Sequence, residues 1–100
     1  MNYEETIMGI IMHGGNARSL AMEAIRLARH GDDKESKALL EQSDGELNKA
    51  HQIQTNLIQS EVRGEKIEVS LLMVHAQDHL MNAMTVYDLA KEIIELCKEK

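Results

Sequence analysis

The stretch EETIMGIIMHGGNARSLAMEAIRLARH, residues 4–30, decides the fold class. Ile7, Ile10, Gly14, Ala17, Ala21, Ala24 and Ala28 recur at intervals of three and four residues. That interval places them on one face of an α-helix. Most of this face is Gly or Ala, so a second helix can approach it closely. Gly14-Gly15 costs about 1 kcal/mol per glycine in a helix interior and marks a place where this helix can break. Gly31 follows His30, as a helix stop does.

The same reading extends to the rest of the chain. Asp32 stands where an N-cap belongs, with Glu35 three residues on, so each can satisfy an orphan N–H of the other. Leu40, Leu47, Ala50, Ile53, Leu57 and Ile58 carry a second helical pattern, which stops at Arg63-Gly64. Ile67 to Val69 alternates and is β-branched, which predicts a short extended piece. From about Ser70 to Cys97 the pattern is helical again. Three segments of about 27, 30 and 28 residues, each roughly 40 Å long, joined by short connections, predict an all-α, antiparallel up-down-up three-helix bundle in a single domain over residues 1–100.

Composition agrees. The chain has no Pro, Phe or Trp and only two Tyr, and its apolar residues are mainly the helix formers Leu, Ala and Met with Ile. One hundred residues make a thin core, so oligomerisation would add useful burial. The net charge of −6 argues against nucleic acid as a partner. A lone Cys97, acidic Glu4 and Glu5 at the start and no apolar run long enough to span a bilayer predict a cytoplasmic protein.

The third segment carries two apolar stripes. Ala76, Leu80, Ala83, Tyr87, Ala90, Ile94 and Cys97 suffice to face the other helices. Leu71, Val74, Asp78, Met81 and Thr85 form a second stripe with coiled-coil spacing, and the simplest cover for it is another copy of the same helix. Asp78 in that seam would meet its symmetry mates, sharing protons, donors or a hard cation. Beside it, His75, His79 and Asn82 lie at i, i+4 and i+7 on one side of the helix. From these residues alone three readings stay open: surface histidines, a metal site built on His75, Asp78 and His79, or phosphohistidine chemistry.

The run Val74-His75-Ala76-Gln77-Asp78-His79-Leu80-Met81 resembles the active-site signature of IIA components of lactose- and cellobiose-type bacterial sugar phosphotransferase systems. Gly15-Asn16-Ala17-Arg18-Ser19 with Glu23-Ala24, then Ala50-His51 with Gln54-Thr55, and Leu57, Glu61 and Gly64 extend the resemblance over the whole chain. The resemblance implies a homotrimer of three-helix bundles. It implies that His75 is phosphorylated on Nε2 by phospho-HPr and passes the group to a cysteine of the IIB component, and thence to sugar entering through the membrane component IIC. It implies that Asp78 lies on the trimer axis, where a divalent cation such as Mg²⁺ can sit. His79 and Asn82 are then candidates for stabilising the phosphoryl group, and Nδ1–H of His75 is expected to bond a carbonyl one turn back. Ala76 is closer to the cellobiose and chitobiose branch than to the lactose branch. Arg18 is expected to pair with an acidic side chain. The rival readings are a metal-binding helical bundle and a trimeric adaptor without phosphotransfer.

Overall fold

The computed structural model describes residues 3–99. Helices α1 (Tyr3–Arg29), α2 (Asp33–Val62) and α3 (Leu71–Lys98) form an elongated bundle of 52 × 20 × 19 Å. Among the described residues there is no strand, and residues 65–70 run as an irregular connector into α3. The chain reverses at Gly31 and Gly64, whose φ angles of 84° and 93° suit glycine and strain any other residue. Asp32 caps α2 by accepting from the Glu35 N–H at 3.2 Å; Ser70 caps α3 by accepting from the Met73 N–H at 3.1 Å. The reciprocal bond from Glu35 to the cap does not form. The Tyr3 hydroxyl donates to the Glu68 carbonyl, tying the start of α1 to the connector.

α1 is the central element. It packs along both other helices, while α2 and α3 meet much less. Its buried face is Ile7, Ile10, Gly14, Ala17, Ala21, Ala24 and Ala28, the stripe read from the sequence. The helix runs unbroken through Gly14-Gly15. A Cβ at Gly14 would stand 3.7 Å from the His79 backbone, ordinary contact, so α1 and α3 approach closely there. Leu80, Ile7 and Ile10 are fully buried in the main cluster, each contributing about 1.5–3 kcal/mol of apolar burial. A smaller cluster of Ala24, Ala28 and Ile94 fills the far end, with Leu39, Leu40 and Cys97 against it.

The α1–α2 seam carries polar stitches absent from the apolar pattern. The Ser43 hydroxyl donates to the Ala17 carbonyl at 2.6 Å and the Ser36 hydroxyl to the Ala24 carbonyl at 2.7 Å, both fully buried. His13 is half-buried, with Nδ1 2.8 Å from Glu46 Oε2, while Asn16 Nδ2 donates to Glu46 Oε1 at 3.2 Å. Ile58, read as part of the α2 core stripe, is 53% exposed.

Candidate functional site

α3 begins at Leu71, so His75 opens its second turn, just past the free N–H groups of the helix start. His75 is exposed, flanked by exposed Leu71 and Leu72 in a shallow apolar depression. One turn on, His79 is half-buried, and the two rings meet edge to face with centroids 4.4 Å apart and planes at 83°. Their Nε2 atoms are 3.1 Å apart.

That contact needs one hydrogen between two nitrogens. If His79 donates, His75 carries its proton on Nδ1 and keeps an Nε2 lone pair, the nucleophilic form, engaged by a single hydrogen bond. A swing of His79 about its side chain frees the lone pair. The expected bond from His75 Nδ1 to a carbonyl one turn back is absent; Nδ1 has no partner among the described residues. That bond exists instead at His30, whose Nδ1 lies 2.7 Å from the Arg26 carbonyl. No backbone carbonyl among the described residues therefore fixes the His75 tautomer, and the one ring contact it has is to His79.

Asp78 and Asn82 are both exposed, and Asn82 Nδ2 donates to Asp78 Oδ1 at 3.2 Å. Among the described residues no three His, Cys, Asp or Glu side chains gather as a metal site, so the transition-metal reading of His75, Asp78 and His79 finds no ligand set within one chain. Arg18, absent from the sequence-derived site, comes in from α1. With Asp78, His79, Asn82 and Val86 it lines a groove of about 370 Å³ along the α1–α3 edge. It forms no ion pair with Asp78 or any other described carboxylate, contrary to expectation. A second, apolar groove of about 280 Å³ lies between α2 and α3 under Ile67 and Val69, with Gln54 Nε2 donating to Gln77 Oε1 at 2.6 Å on its wall.

These features define a class: a small helical bundle that displays a pair of apposed imidazoles at its surface, His75 exposed and His79 half-buried. The sequence matches the family described as the lactose/cellobiose-specific IIA subunit of the phosphotransferase system over residues 5–98, and the chain belongs to that family. It is 62% identical over 93 residues to the lichenan-specific phosphotransferase enzyme IIA component of Bacillus subtilis, covering 93% of this chain and 84% of that one. It is 48% identical over 93 residues to the N,N'-diacetylchitobiose-specific EIIA component of Escherichia coli, covering 93% and 80%. The crystal structure of the cellobiose-specific enzyme IIA from Bacillus anthracis superposes with a TM-score of 0.95 at 48% identity, covering 99% of this chain and 91% of that one. The IIA(chitobiose) solution structure from Escherichia coli, solved in complex with HPr, gives 0.85 at 44% identity, covering 99% and 96%.

Proposed function

We propose that His75 is the phosphoryl acceptor and donor of this IIA component. The observation that carries the reading is the exposed His75 ring with its Nε2 poised against His79 Nε2 at 3.1 Å. The neutral imidazole of His75 attacks the phosphorus of phospho-HPr. The P–N bond of the donor breaks as the P–Nε2 bond of His75 forms, and the electron pair returns to the donor ring, so no net proton is taken up. Catalysis of such a loose transfer rests on alignment and charge stabilisation. The helix supplies the alignment; the freed Nε2–H of His79 and the Asn82 amide supply donors. The group then passes to the IIB cysteine and reaches sugar of the cellobiose, chitobiose or lactose type through IIC. HPr as donor is supported by the relative solved with it. A cytoplasmic site of action fits these partners, and no described helix is long and apolar enough to cross a membrane.

The functional unit we propose is a homotrimer assembled on the outer face of α3. Leu71, Val74, Met81, Leu89 and Leu96 lie there at 86%, 52%, 52%, 56% and 60% exposure, a continuous apolar stripe interrupted by Asp78. About a threefold axis the Asp78 carboxylates converge. One oxygen of each is engaged by Asn82 and the other is free, a donor set suited to a hard cation such as Mg²⁺. Asp78→Leu is expected to strengthen the trimer by removing like charges from the seam; dissociation of that variant in sedimentation would place Asp78 elsewhere. The function is tested by incubation with HPr, its kinase and phosphoenolpyruvate. The expected result is an acid-labile gain of one phosphoryl group, lost in His75→Ala with helicity and assembly retained. Labelling of His75→Ala to the normal extent would end the assignment.

A further inference from the structure

We propose that Arg18 is a positioning residue of the phosphoryl relay, acting through His79 from the opposite helix; this rests on the assignment of His75 as acceptor. α1 and α3 pack closely where Gly14 meets the His79 backbone, and one turn further along α1 the Arg18 side chain lines the groove that His79, Asn82 and Asp78 share. His79 therefore lines the groove that Arg18 enters and also meets His75, with 3.1 Å between their Nε2 atoms.

The charge of Arg18 is uncommitted. Arg26 pairs with Glu23 at 2.9 Å and Arg63 with Glu65 at 3.1 Å, whereas Arg18 has no hydrogen-bond or ion-pair partner among the described residues. Asp78 lines the same groove, yet its recorded partner is the Asn82 amide.

A phosphoryl group on His75 brings a charge of about −1.5 to −2 onto this edge. The chain as a whole already carries −6. Within the groove Asp78 adds to the repulsion and Arg18 is the cationic lining residue that opposes it. To free the His75 lone pair, His79 must leave the Nε2–Nε2 line and then donate to a phosphoryl oxygen. The Arg18 guanidinium lining that groove favours negative charge on the phosphoryl oxygens toward which His79 donates. Arg18 touches neither the reacting nitrogen nor the phosphorus.

The test is rapid-quench transfer from pre-formed phospho-HPr to the full-length protein carrying Arg18→Gln or Arg18→Lys. Arg18→Gln is expected to lower the maximal transfer rate about tenfold with KM for phospho-HPr unchanged, and Arg18→Lys to restore most of it, with assembly and helicity as in the unaltered chain. An unchanged rate in Arg18→Gln overturns the proposal. So does a loss confined to KM, which would make Arg18 a docking contact, or a loss that tracks a change in assembly. Failure of the unaltered chain to accept phosphoryl would end the His75 assignment and this proposal together; normal labelling with an indifferent Arg18→Gln ends only this one.

Discussion

The two seams of α1 are built from different chemistry. Toward α2 it is stitched: buried Ser36 and Ser43 hydroxyls reach α1 carbonyls, and Glu46 grips both His13 and Asn16. Toward α3 it is dry, with Gly14, Ala17 and Ala21 on the α1 face and Ala76, Leu80 and Ala83 among the buried residues of α3. Directional bonds fix the register of α2 on α1, because a slip would orphan buried hydroxyls and carbonyls. Among the described residues α1 and α3 bury no polar side chain, and close packing dominates their seam. Its outer edge is where His75, His79, Asn82 and Arg18 collect. The proposed chemistry thus sits beside the seam without buried polar side chains, leaving its donors and charges available to an incoming phosphoryl group.

The largest effect that would break this contrast is in the dry seam. Leu80 is fully buried, and Leu80→Ala is expected to cost about 3–4 kcal/mol, since transfer and cavity costs add where rigid helices cannot collapse. Urea unfolding at matched protein concentration measures it, because assembly shifts apparent stability. A cost below about 1 kcal/mol would mean that the α1–α3 seam relaxes easily and cannot be what holds the site residues in place.

How much of this was readable from sequence differs between the seams for the same physical reason. The α1 face was legible residue by residue, because small and apolar side chains at helical spacing have no other use. The inner stripe of α3 was nearly so: Ala76, Leu80, Ala83, Ala90 and Ile94 are buried, Tyr87 and Cys97 only half-buried, and Met73 joins them. On α2 the pattern missed Ser36, Ser43 and Ser60. A count of apolar residues skips serine, although Ser36, Ser43, Ala50 and Leu57 repeat every seven residues and that period was available. In the site, the i, i+4 spacing placed His75 and His79 together, but their Nε2 apposition depends on rotamers. Arg18 depends on the register of α1 against α3, which no local pattern encodes.

The stitched seam offers the smaller and sharper test. The hydrogen bond from His13 holds the Glu46 carboxyl below the usual carboxylate range, against the opposing effect of partial burial, with Asn16 and the charges of His13 and Lys49 helping. A carboxyl whose folded pKa is depressed stabilises the fold fully above its unfolded value of about 4.3, and the gain disappears as pH falls through the folded value. With the Glu46 side chain 21% exposed, the clamp is worth about 0.5–1 kcal/mol at neutral pH. Glu46→Gln is therefore expected to be less stable than the unaltered chain by that amount at neutral pH, with the gap closing once Glu46 is protonated in acid. Thermal melts of both proteins across that range measure it. A variant of undiminished stability at neutral pH, or a gap that does not narrow in acid, would mean that α2 is held on α1 by packing and the buried serine bonds alone, and the charged part of the contrast between the seams would fall.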